Sequence, residues 1–209
     1  MREETTIHVR LHTTAEAHST AGIGAGTVIW AWSQVRENVI IGSDSSIGQG
    51  CYVGPGVVIG ARCKIQNAAL IYEPATLADS VFVGPGAVLT NDRFPRAVNV
   101  DGLPKTAGDW EPVGVTIGKG ATIGARAVLI GPVTIGEWAT IGAGAVVSSD
   151  VKPFALIVGS PGRQIGWVGR SASRLTEDGD CWVCPASGEI YFEENTVLAL
   201  RTLGGVVSD

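Results

Sequence analysis

One stretch of this chain concentrates groups that could act on a ligand: residues 90–96 read Thr-Asn-Asp-Arg-Phe-Pro-Arg. The carboxamide of Asn91 offers a carbonyl that accepts a hydrogen bond from an amine. Asp92 beside it is a possible acid/base group. The guanidiniums of Arg93 and Arg96 can each pair bidentately with phosphate oxygens. The plainer alternatives are a turn residue with positive φ at Asn91 and surface ion pairs of the arginines with Asp92 or Asp101. The histidines are His8, His12 and His18, so neither this stretch nor the later half of the chain carries an imidazole base. Cys181 and Cys184 form a C-x-x-C. Two thiolates do not complete a tetrahedral zinc site, no histidine follows them, and no βαβ unit surrounds them to suggest redox chemistry. No metal is expected.

A six-residue beat must position these groups. Every sixth residue from Ile23 to Leu89, and again from Ile117 to Val147, is Ile, Val or Leu, eighteen hexads in all. The next residue is Gly in ten of them, and the fifth place holds small residues such as Thr27, Ser33, Ser45, Cys51, Cys63, Ala69 and Ala87. The period fits neither a helix nor a long alternating strand. A short strand and a bend every six residues give a mainly β fold, a parallel β-helix with three hexads per coil. The leading aliphatics then fill the core, the fifth-place residues sit inside near the corners, and Gly and Asn tolerate positive φ at the bends. Leu11 and Ala17 keep the phase backwards from Ile23, which predicts a weaker N-terminal coil. Cys51 and Cys63 read as buried filler on different corners.

Between Leu89 and Ile117 the beat breaks in a segment rich in Pro, Gly, Asn and Asp, predicting a loop insertion at about 91–116. The β-helix is assigned to 1–168, closed by Lys152-Pro153 and Pro161, and 169–209 to a small tail with a strand at 190–192. The net charge of −5 and the lack of a basic run argue against nucleic acid. No apolar stretch suits a signal peptide or membrane span, so the expected location is cytoplasmic.

The hexads, together with Ile29-Trp30, Ile47-Gly48-Gln49, Lys64-Ile65-Gln66-Asn67, Val83-Gly84-Pro85, the 90–96 stretch, and the ending Ala143-Gly144-Ala145-Val146-Val147 through Gly159-Ser160-Pro161-Gly162-Arg163, resemble the hexapeptide-repeat acyltransferases. Within that family the strings are similar to the acetyl-CoA-dependent N-acetyltransferases of UDP- or dTDP-linked amino sugars. The 90–96 stretch is similar to the dTDP-linked 3-amino sugar branch. The resemblance implies a left-handed parallel β-helix, a homotrimer, acetyl-CoA as cosubstrate, and an amine-contacting role for Asn91, with Asp92 as its competitor. Arg93 and Arg96 are assigned to the nucleotide diphosphate, and Gln49, Tyr72 and Glu73 to the sugar or base. Ala125 and Ala143 offer backbone groups to pantetheine, and Lys152, Pro161 and Arg163 accompany the CoA phosphates. Two departures stand out. Ala31 and Gln34 occupy positions where the relatives often carry His. The first cysteine pair of the relatives' zinc ribbon falls on Gly169 and Ser171, leaving a degenerate tail.

A sugar amine beside electron-withdrawing ring oxygens has a pKa near ~8, so a useful fraction is neutral without a histidine base. A hydroxyl acceptor would need a base more urgently, which favours an amine over O-acylation. A γ-class carbonic anhydrase would need three His ligands at a subunit interface and is rejected. Acylation of another small molecule and a catalytically inactive β-helical assembly subunit are the remaining alternatives.

Overall fold

The computed structural model describes residues 8–194 and 196–201. Its body is a triangular solenoid, a left-handed parallel β-helix. Among the described residues the first face stacks strands from Arg10–Leu11 through Val28–Ile29, Ser46–Ile47, Lys64–Ile65, Phe82–Val83 and Thr122–Ile123 to Thr140–Ile141 and Ala155–Val158. The second runs from Glu16–Ala17 to Val146–Val147, and the third from Gly22–Ile23 to Val133–Ile135. Neighbouring coils pair residue for residue, as in Ile47↔Ile65↔Val83, so each leading aliphatic lies on its counterpart one coil away. That register fills the interior. Ile47, Ile65, Ile71, Leu89 and Ile123 are fully buried, each stabilised by roughly 1.5–3 kcal/mol of side-chain burial. The N-terminal coil pairs as expected, Arg10–Leu11 with Val28–Ile29, but Leu11 remains 47% exposed.

The glycines after the aliphatic residues serve a purpose other than the expected one. The positive-φ residue lies two places further on, where Trp32, Asn38, Arg62, Arg126 and Trp138 all adopt φ between 55° and 58°. Bends are therefore not reserved for Gly and Asn. The glycine column answers to stacking: a Cβ on Gly42 would stand 2.5 Å from the Ala61 nitrogen, and one on Gly84 2.5 Å from the Ala125 nitrogen.

The fifth-place polar residues are more than filler. Thr27 Oγ1 donates to the Gly42 carbonyl (2.8 Å) and accepts from the Ser45 N–H (3.1 Å). Ser45 Oγ donates to the Gly60 carbonyl (3.0 Å) and accepts from the Cys63 N–H (3.0 Å). Cys63 Sγ continues the series to the Ala78 carbonyl. A second series runs from Ser33 through Cys51 to the Gln66 carbonyl. These hydroxyls are buried and paired, which removes the desolvation cost of placing them inside. Cys51 and Cys63 are free thiols on different corners, both pushed up in pKa by burial.

The inserted segment leaves after Val88–Leu89 on the second face and re-enters at Val115–Ile117 on the third. It is ordered by a bridge between Val98 and Pro104 and by Asp109, whose carboxylate accepts from the Thr106 N–H and hydroxyl and from Asn99. The tail is more regular than its composition suggested. Strands Thr176–Asp178, Cys181–Val183, Ile190–Glu194 and Val197–Leu200 form an antiparallel sheet. Tyr191 seats it on the last coil, its buried ring edge-on to Phe154 at 5.2 Å. The Tyr191 hydroxyl donates to Glu189 and accepts from the Arg170 N–H, while Arg170 pairs with Glu189.

Candidate functional site

The three corners of the solenoid carry different chemistry. The second corner, between the second and third faces, stacks residues 36–38, 54–56, 72–74 and 90–91, and the inserted loop departs there. Tyr72, Glu73, Asn91 and Asp92 therefore converge on one corner, with Glu73 one coil before Asn91. The Asn91 carbonyl accepts from the Val113 N–H at 2.9 Å and closes the base of the loop. Asn91 is absent from the positive-φ residues, so its presence owes nothing to a left-handed turn. Asp92 Oδ1 accepts from the Phe94 N–H at 2.8 Å. That bond is a local turn, and it ties up one oxygen of the proposed acid/base group.

Glu73 is the unusual group. Its Oε2 is buried and has no hydrogen-bond partner among the described residues, a state that costs a buried polar atom free energy unless something else supplies a donor. The oxygen lies over Gly54, where a Cβ would stand 2.3 Å from it. The Tyr72 ring packs at 5.2 Å, tilted by 46°, against that of Tyr52, whose hydroxyl is pushed up in pKa by burial and then by the charge of Glu73.

Arg93 and Arg96 project from the loop, exposed. Arg93 lies 5.5 Å over the Phe94 ring and Arg96 donates to the Pro95 carbonyl. Neither forms an ion pair with Asp92 or Asp101 among the described residues, so both guanidiniums keep capacity for an anion. Gln49 does not join this group. It sits on the first corner, between the first and second faces, where its N–H donates to Asn67 Oδ1. Ala125 and Ala143 stack on that same first corner, linked by the Gly144 N–H to the Ala125 carbonyl. On a single chain the sequence-assigned residues therefore fall on two separate corners. Lys152 and Arg163 come together at the C-terminal end, in a cleft of about 190 Å³ lined also by Ser149, Asp150 and Gln164. Pro161 lies in the turn that leads into Arg163.

In the tail, Ser171 Oγ stands 3.0 Å from Cys184 Sγ, and a Cβ on Gly169 would be 3.3 Å from the same sulfur. Burial pushes the Cys184 thiol up, but hydrogen bonds from Ser171, Ser187 and the backbone outweigh it and bring it below its ordinary value. Among the described residues no group of three His, Cys, Asp or Glu is placed to hold a metal ion, and no helix is long and apolar enough to cross a membrane. Sequence reasoning missed that Glu73 stands over Pro55, a residue without an N–H; the signal was the spacing of eighteen residues between them.

Residues 20–55 and 114–149 match the bacterial transferase hexapeptide repeat, and residues 38–73 match the hexapeptide repeat of succinyl-transferase. No curated protein sequence matches the chain. Among solved structures, the acetyltransferase domain of PglB from Neisseria gonorrhoeae is 21% identical over 77% of this chain, with a TM-score of 0.50. It has also been solved in complex with acetyl coenzyme A. This chain covers 58% of that domain's length. A hexapeptide transferase family protein from Anaplasma phagocytophilum is 17% identical over 80% of this chain and 87% of its own, with a TM-score of 0.51. An acetyltransferase candidate from Bacillus cereus is 22% identical over 79% of this chain and 88% of its own, with a TM-score of 0.50. At these identities the likeness is one of fold.

Proposed function

We propose that this chain, a hexapeptide-repeat protein of the bacterial transferase type, moves an acetyl group from acetyl-CoA to the amine of a UDP- or dTDP-linked amino sugar. The observation that carries the reading is the buried, unpartnered Oε2 of Glu73, one coil before Asn91 at the corner where the loop departs. Two acceptors, the Glu73 carboxylate and the Asn91 carboxamide, suit an amine, which offers more than one N–H. The neutral amine attacks the thioester carbonyl. A C–N bond forms, the C–S bond breaks, and the proton released from the ammonium ends on the CoA sulfur. With no histidine in reach, the chain's contribution is orientation and exclusion of water.

The split between corners motivates the homotrimer. The outward residues of the second face turn apolar along the chain, from Glu16, Gln34 and Tyr52 to Leu70, Val88, Val128 and Val146. If three copies turn that face toward a common axis, the second corner of one copy meets the first corner of the next. Glu73 and Asn91 of one copy would then face Gln49, Ala125 and Ala143 of its neighbour. Pantetheine amides suit the stacked backbone of Ala125 and Ala143, and the CoA phosphates suit Lys152 and Arg163. The nucleotide diphosphate suits Arg93 and Arg96.

The test is thiol release from acetyl-CoA with a panel of UDP- and dTDP-linked 3- and 4-amino sugars. Release with one acceptor, lost by about 100-fold or more in Asn91→Ala, is expected, since a well-placed polar contact at a reacting centre is worth about 2–4 kcal/mol. Release with a hydroxyl acceptor instead would overturn the amine assignment. Absence of acetyl-CoA binding would leave a structural β-helix.

A further inference from the structure

The lack of a partner on Glu73 has a cause in the chain. Glu37, Gln49, Asn67, Asp79, Asn91 and Glu137 carry an acidic or amide side chain at the same repeat position, and two of them, Asn67 and Asp79, are satisfied in the same way among the described residues. Asn67 Oδ1 accepts from the N–H of Gln49, and Asp79 Oδ1 accepts from the N–H of Ala61, each at 2.9 Å. In both cases the donor lies eighteen residues earlier, directly below in the stack, and follows a glycine whose missing Cβ leaves room for the oxygen: 2.7 Å at Gly48 and 2.6 Å at Gly60. Glu73 occupies that position over Gly54, with its oxygen still closer, 2.3 Å from where a Cβ would be. The residue that should donate is Pro55, and proline has no N–H. The corner thus retains the glycine recess and the acidic side chain of a capped corner but lacks the donor.

We infer that Pro55 is a positioning residue: by withholding the backbone donor that caps Asn67 and Asp79, it leaves the Glu73 carboxylate without an internal partner, so that the side chain can turn out of its recess to an N–H of the acceptor substrate. The inference rests on the amine-acceptor reading of this corner. Glu137, over Gly118 and Lys119, is exposed and makes no such bond, but the Glu73 carboxylate already lies in its recess, so an N–H at position 55 would meet it there as those of Gln49 and Ala61 meet Asn67 and Asp79. An incoming amine would then have to displace an internal hydrogen bond.

Pro55→Ala tests this with two independent readouts. The first is hydrogen exchange at the backbone amide that the substitution introduces, which needs no substrate. That new amide is expected to be protected, and the protection to disappear in the double variant Pro55→Ala/Glu73→Ala. The second is turnover of the amino-sugar nucleotide. Displacing one internal hydrogen bond to a carboxylate should lower kcat/KM by about tenfold, with the Tm and the acetyl-CoA Kd unchanged. Should Pro55→Ala fail to fold, Pro55→Gly presents the same N–H without a side chain and carries both readouts. Free exchange of the new amide, or turnover equal to that of the parent protein, would overturn the inference. Protection of the new amide in a protein that acetylates no amine would keep Pro55 as the reason the oxygen is free and discard the amine-acceptor reading.

Discussion

Ser45→Ala measures how a coil corner responds when its internal hydroxyl is removed. Ser45 Oγ is inserted between two groups of the next coil, donating to the Gly60 carbonyl and accepting from the Cys63 N–H, both at 3.0 Å. Deleting it from a rigid corner would leave a buried carbonyl and a buried N–H unpaired, at about 1–3 kcal/mol each. The corner has a second option. Where the fifth place of the neighbouring coil holds no hydroxyl, the N–H reaches the carbonyl three residues back directly, as in Ala87 to Gly84, Ala127 to Gly124 and Ala145 to Gly142, each at 3.2 Å. In Ser45→Ala the Cys63 N–H should fall onto the Gly60 carbonyl in the same way, replacing two hydrogen bonds by one. The expected loss is therefore about 1 kcal/mol. Urea unfolding followed by circular dichroism, with the slope checked for constancy, and amide exchange at Cys63 would measure it. A loss above about 3 kcal/mol with an unprotected Cys63 amide would refute the relaxation. No loss at all would refute the role of the hydroxyl.

Gly84→Ala places a Cβ 2.5 Å from the Ala125 backbone nitrogen; with backbone on the far side the coils must separate, and the Tm should fall by many degrees, whereas Gly50→Ala meets nothing within 4 Å and is limited by its φ of +65°. Thiol labelling of the folded protein should modify Cys181 first, since Cys51, Cys63 and Cys184 are buried; rapid labelling of Cys63 in the native state would contradict the stacking. The tail contact should depend on pH at both ends. Burial pushes Tyr191 up to about 12 from its ordinary 10.0, so its contribution is complete below pH 10.0, where neither state ionises, and is lost as the pH climbs through the folded value. The hydrogen bond from Arg170 holds Glu189 below its ordinary 4.5, so that contribution is present above 4.5 and lost on acidification. Limited proteolysis of the tail across pH reads both, and Tyr191→Phe should abolish the alkaline loss. Lys152→Ala and Arg163→Ala should each weaken acetyl-CoA binding, with a shallower salt dependence by calorimetry; unchanged binding in both would remove the cleft from the CoA site.

The reach of the sequence is clearest in the hexads. A period of six with an aliphatic at every leading place allows little else than a stacked coil, because so short a unit cannot bury a face alone. Fold, core, loop insertion and the buried cysteines all follow from that local constraint. The regular sheet of the tail was harder to read, because its stability comes from Tyr191 docking on Phe154 rather than from a period of its own.

The proposed site residues divide along the same line. Asn91, Asp92, Arg93 and Arg96 are neighbours in the chain, and their side-chain chemistry alone marks them. Which of the other assigned residues stand beside them is a question of corner, and only the stacked structure answers it. Tyr72 and Glu73 join Asn91, while Gln49, Ala125 and Ala143 lie on another edge. The glycines could be counted in the sequence, but only the approach of backbone between coils told stacking clearance from bend geometry. Glu73 itself is an ordinary glutamate in the sequence. It becomes an unpaired acceptor because the coil below brings Pro55, with no N–H to give, to the place where a donor would otherwise lie.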